Sequence, residues 1–242
     1  MSTRKTFLAA GAALAALGPK VAAASVSPAP SSSPAASTPP EPALPKLDFN
    51  LAAFDTALST TATHKHLFTS VKIDGGEVFG AMRGTLNAYA GMGVAASSVR
   101  PVAVLYHGVA IALGFGDKVW NEYFLPLLAM KDGDDKMAGQ RKDFDSVSDP
   151  SKKGNPCLHK SGGAWDVSIE SLVADANAHF FLCDNATRGV AALIAKKLKK
   201  SPADVYATLS SNLVPNAMLV PAGVWAVHAV QERHYTLLQT SI

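Results

Sequence analysis

Two cysteines and seven histidines carry most of the reactive chemistry this chain could do. Cys183 stands within Ala178-His179-Phe180-Phe181-Leu182-Cys183-Asp184-Asn185-Ala186-Thr187-Arg188-Gly189. The apolar run before it is too short for a helix and reads as a buried strand, and Asp184-Asn185 then start the helical run Val190 to Leu198. A thiol there lies at the carboxyl end of a strand and beside a helix N-terminus. Open α/β sheets bind ligands at that place, and the helix dipole favours thiolate over thiol. The same position equally suits an inert cysteine packed as a small hydrophobe.

His107-Gly108 follows a second apolar run, Arg100 to Tyr106, and is delivered to a strand end in the same way. A histidine near a thiol stabilises the thiolate and makes it a nucleophile competent for persulfide or disulfide exchange. A histidine that merely caps a loop fits the same residues. Cys157 adds a third reading, a Cys157 to Cys183 disulfide that ties the region around residue 157 to the core.

Other chemistries lack their residues. No GxGxxG opens a helix after the first strand, and neither GxxxxGK[ST] nor GxSxG occurs, which argues against dinucleotide, nucleoside triphosphate and α/β-hydrolase sites. His64 and His66 are two apart and face one side of a strand, a possible half-site for a metal, but carboxylates are sparse around them. His228 and His234 share no helix face. No metal and no cofactor is expected. Lys196, Lys197, Lys199 and Lys200 read as a solvated helix end that suits the negative end of the dipole.

The elements that must hold these residues alternate. A helix over Asp48–Leu58 precedes a strand at Lys65–Val71, the turn Gly75-Gly76 and a helix over Glu77–Ala90. The strand Arg100–Tyr106 leads through a small-residue stretch to a helix beginning at Asp117. Residues 131–163 are charged, Gly-rich and aperiodic, an insertion expected to form a lid or loop. A helix over Val167–Ala176, the Cys183 strand and its helix follow. Then come a helix from Ser201-Pro202, a strand at Asn216–Val220, a helix opened by Pro221 and a last strand at Tyr235–Thr240. Strands separated by helices imply a mostly parallel five-stranded sheet covered on both faces, a flavodoxin-like three-layer α/β/α sandwich.

The N-terminal part is not expected to belong to that fold. Arg4-Lys5, an apolar run from Phe7 to Leu17 and Ala22-Ala23-Ala24 form the three-part pattern of a cleaved signal peptide over residues 1–24, too short to span a bilayer. Ser2-Thr3-Arg4-Lys5-Thr6-Phe7-Leu8 resembles a twin-arginine export signal, with Lys5 in place of the second arginine. A periplasmic or otherwise exported protein is expected, with no membrane span after cleavage. Removing 1–24 takes three of 22 basic residues, leaving 19 against 19 acids, so the formal charge falls from +3 to zero and nucleic-acid binding gains no support. Residues 25–46, rich in Ser, Pro and Ala, read as a disordered tether before a domain at 47–242.

Three segments together resemble the DsrE/DsrF-like family of sulfur-relay proteins: Pro101 to Gly108, Phe181 to Ala186, and Leu219-Val220-Pro221-Ala222-Gly223-Val224 followed by Ala229-Val230-Gln231-Glu232. The last is the most specific. The resemblance covers roughly 64–242 apart from 131–163. It implies a three-layer α/β/α fold, a homo-oligomer, and a cysteine at 183 that receives and passes sulfur as a persulfide to or from a donor or acceptor protein. His107 would modulate that thiol, and Gly108, Asn185, Pro221 and Gly223 would shape the pocket. A non-catalytic module that binds a small ligand or a partner subunit in the same crevice is the other reading.

Overall fold

The computed structural model describes residues 44–129, 153–159 and 167–240, within the compact unit Pro42–Ile242. The expected signal peptide, nearly all of the expected tether and most of the 131–163 insertion lie outside the described residues.

In chain order the described elements are α1 (Leu51–Leu58), β1 (His64–Ser70), α2 (Glu77–Gly91) and β2 (Val99–Leu105). Next is α3 (117–129), whose α-helical ends Asp117–Val119 and Leu125–Ala129 flank a π turn at Trp120–Phe124. Then follow α4 (Ile169–Ala176), β3 (His179–Cys183), α5 (Asp184–Leu198), α6 (Pro202–Ser211), β4 (Ala217–Val220), α7 (Gly223–Gln231) and β5 (Thr236–Gln239). The five strands form one all-parallel sheet in the order β4-β3-β2-β1-β5, the core of a flavodoxin-like three-layer α/β/α sandwich.

Local chemistry explains the joints. Asn50 caps α1 by accepting from the Ala53 N–H at 3.0 Å, and Phe54 and Leu58, one turn apart, bury its inner face. Gly76, at φ +80°, turns the chain from β1 into α2. Ser168 and Ser171 form a reciprocal capping box at the start of α4, and Ser201 caps α6 with Pro202 at its first position. Pro101 lies inside central strand β2 but precedes Val102, the first residue paired with β3, so its missing N–H interrupts no recorded β2–β3 pair.

Alternation along the strands divides the core in two. Phe68, Ala103, Leu105, Phe180 and Leu182 face α2 to α6, whereas Leu67, Val102, Val104, Phe181 and Val220 face α1 and α7. Both faces are apolar, as a sheet covered on both sides requires. Each fully buried side chain of this size contributes roughly 2 kcal/mol of transfer free energy. The steps from β1 to β4 all move the same way across the sheet over one face. The return from β4 to β5 runs through α7 on the other face, the arrangement that right-handed crossovers demand.

Residues 153–159 correct the expectation of a lid as far as this stretch goes, because they are bolted to the core. The Asn155 amide nitrogen donates to the carbonyls of Leu113 (2.9 Å) and Phe115 (2.8 Å), its backbone N–H donates to Asp117 Oδ1, and Leu158 is buried. Ile169 and Glu170 at the start of α4 donate backbone N–H groups to the carbonyls of Cys157 and Leu158. At the other end, residues 44–49 pass from one face to the other. Leu44 and Leu47 pack with the α5 side, while Phe49 meets Trp225 of α7 edge-on at 5.3 Å.

Candidate functional site

The connections that leave β3 and β4 diverge. From Cys183 the chain enters α5 on one face, and from Val220 it enters α7 on the other. The two strand ends are neighbours, with Cys183 paired to Val220 in register. A pair of adjacent parallel strands whose exits part in this way leaves a crevice at their carboxyl ends, the position at which open α/β sheets bind ligands. Cys183 therefore occupies the switch point of this topology.

The helix α5 begins at Asp184-Asn185 as expected, and Cys183 itself is its N-cap. Its Sγ accepts from the Ala186 N–H at 3.4 Å, and its carbonyl accepts from the Thr187 hydroxyl at 3.0 Å. A 15-residue helix directs its dipole at the sulfur. The residue is 7% exposed.

Beside the thiol lies a carboxylate that would oppose negative charge there, and the fold neutralises it. Asp184, 4% exposed, accepts from Arg188 Nε at 2.6 Å and from the Tyr206 hydroxyl at 2.5 Å. The Arg188 guanidinium also donates to the Pro45 carbonyl at 2.6 Å and lies over the Tyr206 ring. Burial first, then the bond to Asp184, push the Tyr206 hydroxyl up to about 12. The i, i+4 pair Asp184 and Arg188 is visible in the sequence once the helix is recognised, but Tyr206 and the link to Pro45 have no local signal.

His107 is exposed just past the end of β2, with φ +67° and ψ 136°, a conformation that L side chains rarely adopt. Its ring packs on that of Tyr106 at 5.3 Å and makes no hydrogen bond to Cys183. The strands carrying the two residues are adjacent, with Leu105 paired to Leu182. Gly108 and Asn185 are exposed at the same edge. Pro221 is exposed too, but it does not open the helix: Ala222 is the N-cap of α7 and Gly223 its first residue. Gly223 serves by its bareness, because a Cβ there would overlap Tyr106, a contact that sequence reasoning missed.

The second thiol is of a different kind. Cys157 and Cys183 are both free, so no disulfide joins them. Cys157 Sγ lies against Gly76, 2.6 Å from where a Cβ on that glycine would be. Burial pushes its thiol up to about 12. His64 and His66 both pack tilted against the Tyr89 ring, and His66 Nε2 lies 3.1 Å from the tyrosine hydroxyl. Burial, then the neighbouring His64, lower the His66 pKa. Among the described residues no three His, Cys, Asp or Glu side chains converge as a metal site, and no helix is long and apolar enough to cross a membrane.

No family model, no curated protein and no solved structure matches the chain. The site is therefore read from its own geometry.

Proposed function

We propose that the chain is an exported thiol carrier of the DsrE/DsrF-like kind, with Cys183 as the sulfur-bearing residue. The observation that carries this reading is the location of Cys183 at once at the β3/β4 switch point and at the N-cap of α5. The reaction is an exchange without net redox change. The Cys183 thiolate attacks the outer sulfur of a donor persulfide, one S–S bond forms as the donor's breaks, and the donor departs as a thiolate that takes up a proton. His107 modulates the Cys183 thiol, and Gly108, Asn185, Pro221 and Gly223 border the crevice. The partner is a sulfur donor or acceptor protein, and the carrier itself assembles as a homo-oligomer.

Iodoacetamide labelling of the native protein at pH 8, located by mass spectrometry, tests the thiol. Cys183 is expected to label while Cys157 stays unmodified until the protein unfolds. A persulfide donor should then add one sulfur atom at Cys183 only. Absence of Cys183 labelling before unfolding overturns the proposal. N-terminal sequencing of the exported fraction tests cleavage after Ala24.

A second reading, a non-catalytic module that binds a subunit or small ligand, draws on exposed apolar residues beside the crevice: Val224 is 60% and Trp225 36% exposed directly after Gly223. It requires that Cys183→Ser leave assembly unchanged.

A further inference from the structure

A separate candidate binding site lies at the opposite, amino-terminal edge of the sheet. Helix α1 turns Phe54 and Leu58 into the core, but toward the starts of β3 and β4 it presents Ala53, Ala57 and Thr56, whose hydroxyl is already bonded to the Ala52 carbonyl. These small side chains leave a depression of about 440 Å³ between helix and sheet, within the range of small-molecule sites. Its other walls include His179, the first residue of β3, Met218 of β4, and the asparagines Asn177 and Asn216 that precede the two strands.

His179 is the informative residue. It occupies the sheet face on which Leu67, Val102, Val104 and Phe181 are apolar, and it is more than half buried by packing. Among the described residues neither ring nitrogen has a hydrogen-bond partner, and neither is fully buried, since no buried side-chain nitrogen or oxygen there is unsatisfied; the residue lines the depression. Burial first, and the Arg100 guanidinium second, push its pKa down to about 4, so near neutral pH the imidazole offers one donor and one acceptor and no charge. A histidine held neutral in a cleft without a protein partner is the pattern of a ligand-binding group. The Asn177 and Asn216 side-chain amides meet at 2.9 Å, and Arg100 donates to the Asn177 carbonyl at 2.8 Å, so the polar wall is braced from behind.

The lining decides the ligand class. No residue that carries a charge near neutral pH lines the depression itself, and the Arg100 guanidinium behind the wall is engaged with the Asn177 carbonyl and Thr60, so neither an anion nor a cation finds a direct ion-pair partner there. The flat pair of alanine methyls and the Met218 thioether favour an aromatic plane, and the imidazole and the two amides favour a ring edge with a donor next to an acceptor. We infer that the α1/β3/β4 depression binds an uncharged nitrogen heterocycle with an amide-like edge, held by His179 and stacked between Ala57 and Met218. This inference is independent of the Cys183 thiol, which lies at the other end of β3.

The test is a titration of the full chain, with ¹³C-labelled histidine rings, by uracil and by nicotinamide, following the His179 ring signal by NMR. Benzoate and benzylamine serve as charged aromatic controls. A saturable His179 shift is expected with both neutral probes, with Kd on the order of millimolar for ligands of this size. Ala57→Leu, which fills the space, should abolish binding, and His179→Phe, followed through the Met218 methyl signal, should weaken it at least about tenfold. No saturable shift with either neutral probe, equal binding of the charged controls, or binding that survives both substitutions would overturn the inference. The wild-type titration alone decides it if a variant does not fold.

Discussion

Gly223 faces Tyr106 with no room for a side chain, since a Cβ on residue 223 would overlap the Cβ of the tyrosine. The clash is with an atom fixed to the backbone, so rotation of the tyrosine cannot relieve it. Gly223→Ala is expected to destabilise the fold by about 1–3 kcal/mol in urea denaturation. Gly189, in the middle of α5, is the control: a Cβ there meets nothing within 4 Å. Gly189→Ala should stabilise by about 0.5–1 kcal/mol.

The buried cluster around Asp184 predicts a graded series. Tyr206→Phe removes one of the donors to the carboxylate and should cost about 1–3 kcal/mol. Arg188→Ala strips the charge partner and the bond to the Pro45 carbonyl together, and should cost about 3–5 kcal/mol. Only Arg188→Ala should also raise the hydrogen-exchange rate of residues 44–49. Equal exchange in both variants would show that Arg188 does not hold this segment.

Two histidines predict opposite pH dependences. His179 has its pKa lowered from 6.5 to about 4, so the stability it confers is complete above pH 6.5 and is lost as pH falls toward 4, by at most ~3 kcal/mol. His159 lies 2.9 Å from Asp117 and 3.0 Å from Glu170, and hydrogen bonds to the two, Asp117 first, raise its pKa. Its contribution is complete below the unfolded value and is lost as pH rises through the raised folded value. Because all three side chains are well exposed, it should stay below about 1 kcal/mol. Denaturation midpoints of His179→Phe and His159→Gln against pH check both signs: the first should flatten the acid limb, the second the limb above neutrality.

Cys157 gives a fourth prediction. At φ +80° and against the Cys157 sulfur, Gly76 tolerates no Cβ, so Gly76→Ala should cost about 2 kcal/mol or more and make Cys157 available to a maleimide in the folded protein. Loss of stability without new labelling would mean that the strain is absorbed in the α2 turn alone.

The sheet was legible in the sequence because each strand is a short apolar run ended by a turn residue, and a parallel sheet buried on both faces needs no more than that. All five strands fall where expected, within a residue or two. The helix starts were less legible. Pro221 seemed to mark the first residue of α7, but a proline fits just outside a helix as well as at its first position, and the extended Ala222 supplies the cap. At α5 the helix does begin at Asp184, but nothing local signals that the cysteine caps it and that the aspartate turns inward to Arg188 and Tyr206. The attachment of residues 153–159 could not be seen, because it joins backbone and side-chain groups of 153–159 to the carbonyls of Leu113 and Phe115 and to Asp117 and Asn121 about forty residues away, and such distant pairings leave no trace in local residue pattern. The neighbourhood of Cys183 and the Gly223 loop followed from strand order. The contact of Gly223 with Tyr106 did not, since it is a matter of one missing methyl group.

The strand order also dictates a timetable for synthesis. β1 is the first strand to leave the ribosome, yet one of its two neighbours is β5, the last. The Thr240 side chain reaches the Thr69 carbonyl across 171 residues of chain. Until β5 is made, the edge of β1 opposite β2 therefore has no partner strand, and any product that stops before residue 236 keeps that edge open to other chains.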